Sequence, residues 1–149
     1  NSAGWRISRA AHDNFAEQIG WPELVEEVAR IYHALPPAER AHTAVFTNNY
    51  GEAGAINLYG PKLGLPTAIS PVNSYWYKGY GATPPQTVIV LGDTPEDIAD
   101  APAHCEFAGR VRNRYNVPNE ETEDHPDIFI CRDLRIPWPQ AWPKMQKFG

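Results

Sequence analysis

Apolar residues along this chain switch between two periods, and the switches mark its elements. Thr43-Ala44-Val45-Phe46-Thr47 is a run of β-branched, aromatic and small residues that predicts a short buried strand, and Ala53 to Tyr59 then places apolar groups at helical spacing. Upstream, Leu24, Val25, Val28, Ile31, Tyr32 and Leu35 form one helical stripe. Pro22 and the acidic Glu23, Glu26 and Glu27 open it, and Pro36-Pro37 closes it ahead of a polar turn through Arg40. A weaker helical piece with Phe15 and Ile19 is expected to stop at Gly20. Residues 1–11 show no period and read as a linker or appended remnant before a single α/β domain over 12–149.

Downstream the alternation continues. A helix from Gly51 to about Lys62 is expected to be capped by Gly64 and followed by a second strand over Leu65 to Ser70. Gln86 to Leu91 predicts a third, fully buried strand. Thr94 then caps a short helix with Pro95 at its first position. His104 to Arg112 alternates as a half-exposed fourth strand, Ile128 to Cys131 is a fifth, and Trp138 to Phe148 is a proline-interrupted helical tail. The expected fold is therefore α/β: a three-layer, Rossmann-like, mostly parallel five-stranded sheet. Its first strands take the order 2-1-3. The last strand, reached without a helix, runs antiparallel either at the edge or beside strand three.

In such a sheet ligands meet the carboxyl ends of the strands. Asn48, Asn49, Tyr50, Gly51 and Glu52 join the first strand to its helix, and Ser70 to Trp76 comes after the second. Candidate ligand-binding residues are thus Asn48, Asn49, Tyr50, Gly51, Glu52, Ser70, Asn73, Tyr75 and Trp76, a mixture of amides, hydroxyls and rings suited to a sugar or to an apolar partner surface. Pro71 to Gly81 reads as a long loop, with three tyrosines and a tryptophan among polar residues. Ordinary turn chemistry explains Asn-Asn-Tyr-Gly equally well, and a self-packed loop would explain the aromatics. Asp93 and Asn113 to Tyr115 are expected at the same end. A carboxylate pair such as Glu52 with Asp93 could meet there and act as acid and base, although any α/β domain has acids at that end. Arg110, Arg112 and Arg114 would share one side of an extended chain, as an anion site or a solvated edge.

Composition narrows the function classes. Thirteen Lys and Arg against eighteen Asp and Glu leave a net charge of −5, which argues against a nucleic-acid partner or an anionic lipid surface. The longest apolar run, Val88 to Leu91, is far below the ~20 residues of a membrane helix, so a soluble chain is expected. Fifteen prolines and five tryptophans suit long, packed loops rather than disorder. Cys105 and Cys131 lie outside any metal spacing. They can form a disulfide if their strands are neighbours in an oxidising compartment, or remain buried thiols. No nucleophile elbow, P-loop, zinc motif or dinucleotide fingerprint is present, so no cofactor and no metal are expected. Glu120 to Asp124 reads as a solvated acidic loop.

Gly20-Trp21-Pro22-Glu23-Leu24-Val25, Phe46 through Ala55, Tyr59 through Pro66, Ser70 to Trp76 and Val88 through Gly92 together resemble a known family. It is the C-terminal soluble region of bacterial polytopic glycosyltransferases related to the protein O-mannosyltransferases. The resemblance runs from about Phe15 to Trp142, with Asn49-Tyr50-Gly51-Glu52-Ala53-Gly54 its most specific part. It implies a domain on the extracytoplasmic (periplasmic) face of the bacterial inner membrane, in an enzyme that takes sugar from a polyprenyl-phosphate carrier. It further implies an accessory role. The partners would be the membrane domain of the same polypeptide and a glycan or lipid-linked sugar. The catalytic acid of such enzymes lies in their membrane part, so no catalytic residue is carried over. The alternatives are an independent small-molecule-binding or hydrolytic α/β domain and a purely structural interaction module.

Overall fold

The computed structural model describes residues 20–110 and 127–148. They form helix α1 over 20–34, a turn of helix α2 (Pro37–Arg40), β1 (Thr43–Thr47) and α3 (Tyr50–Tyr59). Next come β2 (Ala68–Ile69), α4 (Ser74–Tyr77), β3 (Thr87–Leu91), α5 (Pro95–Ala99), β4 (His104–Arg110), β5 (Asp127–Arg132) and α6 (Trp138–Met145). Gly20, where a stop is expected, is the first described residue of α1, helical and buried. The linker at 1–11 and the piece with Phe15 and Ile19 lie outside the described residues.

The strands form one sheet in the order β2-β1-β3-β5-β4. β1 is parallel to both β2 and β3, and β5 is antiparallel to its neighbours β3 and β4. Of the two places open to the last strand, it takes the one beside β3. Alternate residues point to opposite faces, and each face has its own core. Val45, Ile89, Leu91, Ile128 and Ile130 meet Leu24, Val25, Val28 and Ile31 of α1 with Ala53 and Ile56 of α3. Ala44, Phe46, Val90, Phe129 and Cys131 meet Trp138 and Trp142 of α6, with Ile98 of α5 beside them. That makes three layers, one face aliphatic and the other rich in tryptophan.

Several boundaries differ from expectation for local reasons. Helix α3 ends at Tyr59, and Pro61–Leu63 continues as a 3-10 turn that Gly64 closes at φ 75°. Pro61 has no N–H to continue the α ladder. Of the strand expected over Leu65 to Ser70, Ala68–Ile69 pairs with β1; the Ala68 N–H is also held by Asn57 Oδ1 at 2.8 Å. The stretch Pro71 to Gly81 contains the single helical turn α4. Thr94 caps α5 as expected, in a reciprocal capping box with Asp97. Cys105 and Cys131 are register partners on β4 and β5, with Cα atoms 4.0 Å apart, and form a disulfide. Among the described residues no helix is long and apolar enough to cross a membrane.

Candidate functional site

Because β1, β2 and β3 run parallel, the segments after Thr47, Ile69 and Leu91 gather at one end of the sheet. Asn48 extends the β1–β3 ladder by one bond, its N–H donating to the Leu91 carbonyl at 3.2 Å. Asn49 then caps α3, its side chain accepting from the Glu52 N–H at 3.0 Å. Thr47 Oγ1 donates to the Asn49 carbonyl at 3.2 Å and fixes the turn from the strand side. Glu52 is only 1% exposed, so it is a buried part of the first turn. Gly92 is required opposite it: φ is 81°, and a Cβ would stand 2.6 Å from Glu52 Oε1.

The segment after β2 is the second wall. Ser70 is fully buried and its Oγ accepts from the Val72 N–H at 3.3 Å, so the hydroxyl serves the turn and does not face a ligand. Asn73 takes a positive φ of 50° and leads into α4. The chain's tail pins this wall: the Lys147 N–H donates to the Pro71 carbonyl at 2.8 Å and the Asn73 N–H donates to the Lys147 carbonyl at 2.9 Å. Trp76 faces α6. Its indole N–H donates to the Trp142 carbonyl at 2.9 Å, the Trp142 indole returns a bond to the Trp76 carbonyl at 3.1 Å, and the rings stack 6.5 Å apart. Trp76 is thereby committed to packing.

Four of the expected residues meet at the surface. The Tyr50 and Tyr75 rings stand edge to face at 5.7 Å. Beside Tyr50 the chain carries Asn49 and Asn48, whose amide nitrogen donates to Asp93 and whose oxygen accepts from Lys147 Nζ at 3.1 Å. Lys78 Nζ lies 4.7 Å from the centroid of Tyr75. The grouping offers an amide, a carboxylate, two ammonium groups and two tyrosine rings, which is equipment for recognition. Among the described residues no cluster of three or more His, Cys, Asp or Glu is placed to hold a metal. Arg110 pairs with Asp127 at 3.0 Å on the edge strand. Arg112, Arg114, Asn113 to Tyr115 and Glu120 to Asp124 lie outside the described residues.

Trp21 and Lys147 also belong to this end, although sequence reasoning does not place them there. A Cβ on Gly51 would be 3.0 Å from the Trp21 ring, so α1 packs its first tryptophan over the start of α3. Both residues arrive from distant parts of the chain, and no local pattern marks them. Gly92 does carry a signal, as a glycine ending an apolar strand ahead of a polar turn. Comparison of the chain with protein-family models, with curated proteins and with solved structures finds no match.

Proposed function

We propose that this chain is a non-catalytic extracytoplasmic domain of a polyprenyl-phosphate-sugar-dependent membrane glycosyltransferase, related to the protein O-mannosyltransferases, and that it contacts acceptor glycan at the carboxyl end of its sheet. The observation that carries the reading is the pairing of Tyr50, 59% exposed, with Tyr75 beside the Asn48, Asp93 and Lys147 network. Ring faces cover the apolar C–H surface of a sugar while amide, carboxylate and ammonium groups bond its hydroxyls. Each such bond replaces one to water and nets about 1 kcal/mol, so the affinity expected is weak. The disulfide between Cys105 and Cys131 supports a compartment outside the cytoplasm, because such bonds persist where the surroundings are oxidising.

A second reading is favoured by a separate observation. Tyr77 and Phe148, on the two segments that flank the site, are 74% and 81% exposed, and large exposed rings suit docking on the membrane domain of the same polypeptide. Titrating the purified chain with candidate acceptor glycans and tracking amide chemical shifts separates the two. Movement confined to Asn48–Glu52, Asn73–Lys78 and Lys147 supports glycan contact; no movement at millimolar glycan overturns it in favour of docking. The same preparation is expected not to turn over a polyprenyl-phosphate sugar.

A further inference from the structure

A hollow of about 320 Å³ lies between the segment 78–85 and the strands β1 and β2, away from the Tyr50 ring. That is near the lower bound, about 300 Å³, of pockets that hold small ligands. Its floor includes the apolar side chains of Ala44 and Ile69, both buried on the tryptophan-rich face of the sheet. Tyr80 lines it too, and that ring is held by Trp138 at 5.3 Å and Trp142 at 5.6 Å. The far end of the segment is equally fixed, since the Trp138 indole donates to the Pro85 carbonyl at 3.0 Å.

Polar groups ring this apolar floor. Thr67 and Thr83 bring hydroxyls and His42 brings ring nitrogen, while among the described residues no carboxylate lines the hollow although the whole chain is acidic. Gly79 and Gly81 adopt φ of 72° and 94° with open space where a Cβ would stand. The segment over the hollow thus carries two positions without side chains, in conformations that side chains would disfavour.

We propose that this hollow is a second binding site, for one polyhydroxylated ring of pyranose size that is neutral or carries an acidic substituent. The ring's C–H face lies on the Ala44, Ile69 and Tyr80 surface and its hydroxyls meet Thr67 and Thr83. The inference does not need the Tyr50 and Tyr75 site, because it rests on a different cavity.

The test is an amide chemical-shift titration of the intact chain with the methyl glycosides of glucose, mannose and galactose and with a methyl glucuronide. Shifts are expected at Thr67, Ala68, Gly79, Gly81 and Thr83 at millimolar ligand. Thr83→Trp, an exposed position on the rim, fills the mouth and is expected to weaken this binding about tenfold or more. Thr67→Trp, at another exposed lining position, does the same should the first variant fold poorly. No shift at these residues with any of the four glycosides overturns the proposal, as does binding that both tryptophan variants leave intact. Shifts confined to Asn48–Glu52 and Tyr75 overturn it while leaving the first site standing. Shifts confined to the hollow support it and count against the first.

Discussion

The two ends of the sheet carry similar polar residues and use them differently. Where β1 and β3 begin, Glu39 accepts from Arg132 Nε at 2.5 Å and from Thr87 Oγ1 at 3.0 Å, and Arg132 also reaches Glu106 at 2.7 Å. The disulfide lies next to this network, since Cys131 precedes Arg132 and Cys105 precedes Glu106. These charges are spent on one another across three elements. At the carboxyl end Asn48 is likewise bonded on both sides, yet Tyr50 remains largely exposed. The first end is a staple and the second a presenting surface. Charged and amide residues by themselves therefore do not mark a site; what differs is whether the rings and polar atoms around them are still accessible.

The largest effect expected is on the stapled end. The disulfide closes a loop with a sequence separation of 26, and chain-entropy reasoning assigns a loop of that size about 3.5 kcal/mol. Urea unfolding with and without reductant measures it. A loss near that value, with native amide shifts changed around β4 and β5 and not around Asn48, sustains the contrast. A loss below about 1 kcal/mol would show that the register of the sheet, and not the covalent bond, holds this end.

The next effect falls at the opposite end. Gly92→Ala places a Cβ against a glutamate that is buried and part of a helix turn, at a backbone angle that costs an L residue about 1–2 kcal/mol before any clash. A total near 2 kcal/mol or more is expected from thermal or urea denaturation. An unchanged midpoint would mean that Glu52 moves aside, and that the site's scaffold is softer than the strands leading to it.

A smaller, pH-dependent effect belongs to the staple again. The hydrogen bond from Arg132 holds the Glu39 carboxyl below the usual carboxylate range. A depressed folded-state pKa means that its contribution is complete above the unfolded value of about 4.3 and is lost as pH falls through the folded value. Both side chains are partly exposed, so about 1 kcal/mol is the scale expected. Stability measured between neutral pH and about pH 3 should fall less steeply in Glu39→Gln than in the parent chain. Equal slopes would remove Glu39 from the account.

Much of the fold is legible in the sequence, while the contrast between its two ends is not, for physical causes. β1 and β3 are unbroken apolar or β-branched runs buried on both faces, so the residues alone make their type and place plain, as they do the Thr94-Pro95 helix start. The order 2-1-3 comes from the βαβ connection. The turn α4 is not legible, because four residues contain barely one helical period. Ser70 and Trp76 read as accessible, since polarity and aromaticity are visible in a sequence while the side a residue faces is not. Their commitments, to Val72 and to Trp142, depend on chain reversal and on a helix 66 residues away. Lys147 enters the site through the same kind of long-range contact.

The smallest effect on stability should be the largest on recognition. Tyr50 is exposed and its described ring contact is the edge-on one with Tyr75, a contact worth about 1 kcal/mol at most where solvent reaches both rings. Tyr50→Ala should therefore leave the unfolding midpoint within about 1 kcal/mol of the parent chain while removing the ring face offered to a sugar. Under the glycan reading, the amide shifts induced at Asn48 and Tyr75 by acceptor glycan vanish in this variant and persist in Glu39→Gln, which disturbs the opposite end alone. If Tyr50→Ala retains those shifts, the exposed ring is not what contacts the glycan. Equal weakening by both variants would instead mean that binding depends on general stability and that the two ends are not functionally distinct.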